Sequence, residues 1–400
     1  MKGVAILGAT GSIGRSTLQV LERHPADFRV VSLAARSDAQ RMTELCLRHR
    51  PDVAVMEQPE AARELERSLR KAGSGIRVAA GAAAIEELAS SPEADVVMAA
   101  ISGAAGLRST LAAARAGKRL LLANKEPVVM AGELLLASVR SGAATLVPID
   151  SEHNAIFQCL PHGARIGERP AGVRRLLLTA SGGPFLDVPL AAMLRATPEV
   201  ACAHPRWSMG RKISVDSATL MNKGLELIEA TVLFGVPPSD VAVVVHPESI
   251  VHSLVEYVDG SILAQLGSPD MCTPIAQGLA WPGRMAAGVE FLDLAKVGSL
   301  GFRAPDRERF PCLGLAEAAA RAGSLACTWL NAADEVAVQA FLDRRVNFGD
   351  IPGVIERVME RVPGGLMDDL DAVIAADSEA RACAHAAVDG IRTATLKAPA

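Results

Sequence analysis

The sequence predicts a multidomain α/β protein, with a parallel-sheet domain first, an α+β domain in the middle and an α-helical domain last. Three observations carry this. Short apolar runs at 4–7, 30–34, 53–56, 96–101, 120–123 and 146–149 alternate with helical patterns, as strands buried on both faces of a parallel sheet do. From residue 151 the rhythm changes: 174–179 and 241–246 read as strands, and 252–266 as two strands joined at Asp259-Gly260, a dipeptide suited to a tight hairpin turn. Pro282-Gly283-Arg284 opens a less periodic stretch, after which alanine-rich amphipathic segments run almost to the C-terminus. These shifts divide the chain into 1–150, 151–281, a linker 282–310 and a helical domain 311–400. A chain of 400 residues is long enough for two or three separate cores.

Composition excludes several classes. A formal net charge of -4 supplies no basic field to hold a nucleic acid. Seven cysteines (Cys46, Cys159, Cys202, Cys272, Cys312, Cys327 and Cys383) lie far apart without a C-x-x-C pair. That spacing argues against a zinc cage and a disulfide framework, so they read as reduced, mostly buried thiols. The first strand begins near Gly3, which leaves no room for a signal peptide, and no apolar run of membrane-spanning length is free of Gly, Pro or charge. The expectation is a cytoplasmic protein that neither crosses a membrane nor binds nucleic acid.

Gly8-Ala9-Thr10-Gly11-Ser12-Ile13-Gly14 follows the first strand directly and opens a helical pattern over 15–21. In that context the glycines permit a tight turn and a close approach of backbone to a pyrophosphate, while the helix start offers unpaired N–H groups to the anion. The domain therefore reads as a Rossmann-like dinucleotide-binding fold. Where an acidic residue would meet the ribose hydroxyls of NAD, this chain has Ala35-Arg36-Ser37, and Arg36 suits the 2'-phosphate of NADP. The competing reading is an exposed arginine after a strand, with Asp38 on the ribose.

Past the last strand of this domain stands Asp150-Ser151-Glu152. If the chain stays extended the two carboxylates share one side and call for a hard divalent cation; if a helix follows at once, they serve as its cap. The densest segment runs from His204 through Trp207, Met209, Gly210 and Lys212 to Ser217, Asn222, Lys223 and Glu226. A helix over 222–234 puts Asn222, Lys223 and Glu226 on one face. With Ser217 at or before its start, this face reads either as a phosphate pocket beside a metal or as a capped surface helix with a Lys-Glu pair. Residues 204–212 read as a loop mobile enough to be a lid, with Trp207 on the substrate or anchored in the core. His246 and His252, six apart, have a poor metal spacing and read as structural.

Together these segments resemble the 1-deoxy-D-xylulose 5-phosphate reductoisomerase family. The likeness runs through 8–14, Ala123-Asn124-Lys125-Glu126, 148–158, 179–185 (TASGGPF), 204–230 and 246–284, including Gly267-Ser268-Pro269-Asp270-Met271. Arg36-Ser37-Asp38 and Pro127 depart from the residues frequent in the family. The resemblance implies NADPH contacts at Thr10, Gly11, Ser12, Ile13, Arg36, Ser37, Asp38, Asn124, Glu126 and Gly210. It implies one divalent cation (Mg2+ or Mn2+, with Co2+ also accepted) on Asp150, Glu152 and Glu226. Substrate would be held by Lys125, Ser151 and Glu152, and its phosphate and chain by Ser181, His204, Ser217, Asn222 and Lys223, with Trp207 and Met209 on a closing loop. Catalytic roles fall to Lys125, Asp150, Glu152, His204 and Glu226. The implied reaction is a metal-assisted rearrangement of a phosphorylated sugar followed by reduction with NADPH, in a homodimer. A semialdehyde dehydrogenase would need an activated cysteine, which neither Cys159 nor Cys202 is placed to be. An NADP-sensing regulator would keep the glycine loop and lose the acidic and phosphate-binding groups.

Overall fold

Each apolar run of the N-terminal part is a strand. In the computed structural model, which describes residues 1–205 and 209–397 and side chains through residue 391, they are β1 (Lys2–Leu7), β2 (Phe28–Ala35), β3 (Val53–Met56), β5 (Val96–Ala99), β6 (Arg119–Leu122) and β7 (Thr145–Pro148). A strand without an apolar run, β4 (Arg77–Ala80), completes a parallel sheet of order β4-β3-β2-β1-β5-β6-β7. β4 escapes the sequence pattern because it is an edge strand, half-buried or exposed throughout. At the centre, Val4, Ala5, Ile6 and Leu7 are wholly buried.

Register is what makes this sheet useful. Leu7 stands beside Ala34 and Ala99, Ala99 beside Leu122, and Leu122 beside Pro148. The strands therefore end level, and the segments that follow them share one edge. The order of strands reverses at β1 and β5, the position at which a doubly wound sheet opens a crevice for a nucleotide.

This sheet belongs to a compact unit made of Met1–Pro127, Leu135–Asn154 and Asp270–Phe291. The last piece returns from far along the chain. Its helix Cys272–Ala280 packs on helix Ser12–Leu21 and on β6, and Arg119 donates to the Leu279 carbonyl at 2.9 Å.

The second unit comprises Val128–Leu134, Ala155–Pro269 and Leu292–Ala400. Its sheet, in the order β11-β10-β8-β9, is built from β8 (Val173–Ala180), β9 (Val241–Val245), β10 (Val251–Tyr257) and β11 (Ile262–Leu266). β8 and β9 are parallel and the other pairs antiparallel. The expected hairpin turn is present at Asp259-Gly260, where Asp259 accepts from the Ser261 N–H at 2.9 Å. Helices Pro311–Ala322, Ser324–Leu342, Ile351–Met359 and Leu370–Lys397 form the C-terminal part. Its core includes Phe348, whose ring meets Phe185 and Phe341 edge-on at centroid distances of 4.9 and 5.6 Å.

Of the two readings open at Asp150-Ser151-Glu152, the structure takes the second: helix Ser151–Cys159 begins at once, its first turn closed by the Asn154 N–H on the Asp150 carbonyl at 2.8 Å. The expected extent of the 204–212 loop is corrected. The loop from His204 ends at Gly210, and Arg211 and Lys212 are already in helix Arg211–Thr219. Ser217 lies inside that helix, which is separated from helix Met221–Leu233 by Leu220 at φ 59°.

Candidate active site

In the first unit the glycine segment occupies the strand edge after β1. Gly8 has φ +89°, and a Cβ there would lie 2.3 Å from the Ala100 carbonyl oxygen, so the neighbouring strand end leaves room for no other residue. Helix Ser12–Leu21 starts at Gly11 with no side chain capping it, so its first N–H groups face outward for an anion. Thr10 and Ile13 are half-buried, and Gly11 and Ser12 are exposed.

After β2, Arg36 is 78 % exposed, with Glu57 at 3.8 Å; Ser37 is also exposed. Asp38 caps helix Ala39–His49 by accepting from the Arg41 N–H at 3.0 Å. After β6, Asn124, Lys125 and Glu126 are all buried. Asn124 donates to the Gly103 carbonyl at 3.2 Å and accepts from the Glu126 N–H at 3.3 Å. The Lys125 ammonium stands 2.6 Å from Asp150 at the end of β7, and the Ser151 hydroxyl donates to Glu152 at 2.5 Å. One strand edge thus carries the nucleotide loop, a buried lysine and two carboxylates.

In the second unit the groups read as phosphate-binding lie on four segments. The turn after β8 carries Ser181, whose hydroxyl is 2.9 Å from His204 Nε2 and accepts from the Gly183 N–H at 3.2 Å. Burial lowers the His204 pKa, which favours the neutral ring. Gly183, at φ +65°, lies against helix Arg211–Thr219: a Cβ there would be 2.7 Å from the Ser217 carbonyl oxygen. Helix Met221–Leu233 brings Asn222, Lys223 and Glu226 together as their spacing predicts, with Asn222 and Lys223 each bonded to a Glu226 oxygen. Glu226 is 1 % exposed and Lys223 3 %, so this is no solvated surface pair. Met209 is half-buried and the exposed Gly210 caps helix Arg211–Thr219; Trp207 lies outside the described residues.

His246 is structural as expected: it is wholly buried and accepts from the Ile250 and Val251 N–H groups. His252 adds something that spacing did not reveal. Burial above all, opposed by a backbone hydrogen bond with Gly267 and assisted by His246 and Lys223, pushes its pKa down to about 4. A neutral imidazole therefore sits in the electrostatic field of Lys223. None of the seven cysteines is in a disulfide, and most are buried.

A doubly wound sheet with an uncapped glycine turn at its switch point, plus a second unit presenting half-buried Ser, His and Asn beside buried Lys and Glu groups, defines a dinucleotide-binding enzyme acting on a charged small molecule. Comparison narrows the class. Residues 4–132 match the family profile 1-deoxy-D-xylulose 5-phosphate reductoisomerase, and 146–234 and 266–383 match its two C-terminal domain profiles. The chain is 58 % identical over 393 residues, 98 % of its own length and all of the relative's, to 1-deoxy-D-xylulose 5-phosphate reductoisomerase of Methylococcus capsulatus. It is 58 % identical over 94 % of both chains to that of Pseudomonas putida. Among solved structures, a DOX-P reductoisomerase in complex with NADPH, fosmidomycin and magnesium superposes with a TM-score of 0.94 at 45 % identity, over 98 % of this chain and 99 % of the other. The Zymomonas mobilis enzyme in complex with NADPH gives 0.88 at 48 % identity, over 97 % and 98 %. The chain belongs to the 1-deoxy-D-xylulose 5-phosphate reductoisomerase family, as its motifs imply.

Proposed function

We propose that this chain converts 1-deoxy-D-xylulose 5-phosphate to 2-C-methyl-D-erythritol 4-phosphate, a step of isoprenoid precursor synthesis, using NADPH and one divalent cation. The observation that carries this reading is the single strand edge that holds both the nucleotide loop and the Lys125–Asp150 pair with Glu152. Cofactor groups and metal-ligand groups are thereby built into one rigid element.

Asp150, Glu152 and Glu226 would hold the cation. The donors fit a hard ion: all are carboxylate oxygens, with no thiolate among them, so Mg2+, Mn2+ and Co2+ are each accepted. When bound, the ion polarises the substrate ketone as a Lewis acid, and NADPH supplies hydride. The remaining work belongs to the chain. Thr10, Gly11, Ser12, Ile13, Asn124, Glu126 and Gly210 position the cofactor, with Arg36, Ser37 and Asp38 around its 2'-phosphate. Lys125 orients Asp150 from 2.6 Å and, with Ser151 and Glu152, meets the reacting end of the substrate. Asn222 and Lys223 hold the Glu226 carboxylate in one orientation. Ser181, His204, Ser217, Asn222 and Lys223 grip the phosphate and chain, and Trp207 and Met209 close over them to exclude water.

The same reading includes a homodimer in the cytoplasm. It is supported by the exposed Ile262 and Leu263 on the edge strand β11 and by seven cysteines that form no disulfide; among the described residues no helix is long and apolar enough to cross a membrane. The deciding experiment is NADPH oxidation by purified protein with 1-deoxy-D-xylulose 5-phosphate, with Mg2+ or Mn2+ and after chelation. Metal-dependent oxidation is expected. A folded, NADPH-binding protein that is inactive with every metal overturns the substrate assignment, and light scattering tests the dimer.

A further inference from the structure

Lys212 stands between two aspartates. Its ammonium is 2.7 Å from Asp216, one turn along the same helix, and 2.8 Å from Asp334 on helix Ser324–Leu342. The Asp334 side chain is wholly buried and that of Asp216 is 3 % exposed. None of the three is assigned above to substrate, cofactor or metal. Yet the helix they grip begins at Gly210 and carries Ser217, and the turn bearing Ser181 rests on the Ser217 carbonyl through Gly183.

Such a cluster needs a reason. Removing one lysine and two carboxylates from water is costly, and apolar side chains of similar volume could join the two helices equally well. What an apolar contact lacks is direction. The ammonium, ion-paired to a carboxylate on each helix, fixes both the rotation of helix Arg211–Thr219 about its axis and its position along it. Fully ionised, the cluster would carry one excess negative charge. Burial drives the Asp334 carboxyl upward, against the attraction of Lys212. The other titratable groups facing it are Glu335, beside Asp334, and Cys312, kept protonated by burial first and by the two aspartates second.

We propose that Asp334 is a positioning residue for the substrate phosphate: through Lys212 it sets helix Arg211–Thr219, and so places Ser217 relative to Ser181 and His204. The inference rests on the reading of those three residues as phosphate-binding.

The test uses the full chain with NADPH and Mg2+. Asp334→Leu keeps the branched shape without the charge and leaves Lys212 and Asp216 as a balanced pair, whereas Asp334→Asn keeps a hydrogen-bonding group of the same shape. The leucine variant is expected to raise KM for 1-deoxy-D-xylulose 5-phosphate about tenfold, the scale of effect that a displacement of up to about 1 Å carries. Its affinity for NADPH, read by cofactor fluorescence, stays unchanged, and the asparagine variant returns KM to near the wild-type value. Lys212→Met removes the ammonium from the same contact and gives the same rise, which provides a second route if the leucine variant does not fold. A folded leucine or methionine variant with unchanged KM overturns the proposal. So does an asparagine variant as impaired as the leucine one. If wild-type protein binds NADPH but oxidises none, the phosphate reading fails separately. Hydrogen–deuterium exchange over residues 211–219 then reads the lock directly, and equal rates in wild type and the leucine variant refute it.

Discussion

Gly183→Ala tests how the substrate-phosphate groups are assembled. The new Cβ would lie 2.7 Å from the Ser217 carbonyl oxygen and 3.2 Å from the Ala218 Cα. Ordinary C···O contact needs about 3.4 Å, so turn and helix must separate by roughly 0.7 Å. Both obstacles are backbone, and no side-chain rotation relieves them. The left-handed φ of +65° adds about 1–2 kcal/mol for a residue with a Cβ, and forced overpacking about 1–3 kcal/mol more. A loss of about 3 kcal/mol lowers Tm by roughly 6–12 °C for a unit of this size. The Ser181 hydroxyl, tied to the Gly183 N–H and to His204, moves with the turn. KM for 1-deoxy-D-xylulose 5-phosphate should therefore rise about tenfold. NADPH affinity should hold, because nearly all its expected contacts are in the first unit. Thermal melts, steady-state kinetics and cofactor fluorescence give the three readings. Unchanged Tm and KM, or an NADPH affinity that falls in step with KM, would refute the reasoning.

Three further outcomes are expected. Gly8→Ala drives a Cβ to 2.3 Å from the Ala100 carbonyl oxygen and should weaken NADPH binding by at least about tenfold, or 1.4 kcal/mol; calorimetry showing wild-type affinity would remove the glycine loop from the cofactor site. Glu226→Gln should leave NADPH binding nearly intact and abolish metal-dependent activity, so substantial remaining turnover counts against it as a ligand. His252, at about 4 when folded against 6.5 for the unperturbed ring, makes stability fall with acidification. Between those values the unfolded chain binds a proton that the folded chain does not, which costs about 2 kcal/mol from pH 7 to 5. Urea unfolding of His252→Asn should lack that component, and an undiminished pH dependence would show that another group is responsible.

Most strands of the first unit were legible because a strand covered on both faces must be apolar throughout. β4 was not, since an edge strand carries no such demand. The glycine turn was legible because its chemistry is local: a strand, a tight turn and a helix start lie within a few residues. Asn222, Lys223 and Glu226 could be placed together for the same reason, their spacing being that of one helical face. The helix start at Ser151 was legible only as one of two readings and that at Arg211 not at all, because carboxylates and bases suit a cap, a helix or a loop equally and tertiary contacts decide among them. Lys212, for instance, is in a helix anchored to Asp334 far along the chain.

The sequence by itself therefore determined the class of fold, the nucleotide end and the family, since all of these are carried by short contiguous motifs. Only the tertiary structure decided that residues 270–291 rejoin the first unit, that Gly183 bears on Ser217, that His252 stays neutral near Lys223, and that Asp334 grips Lys212. The physical reason is common to all four. Each depends on burial between segments distant in the chain, and no local period or spacing encodes a partner that folding alone brings near.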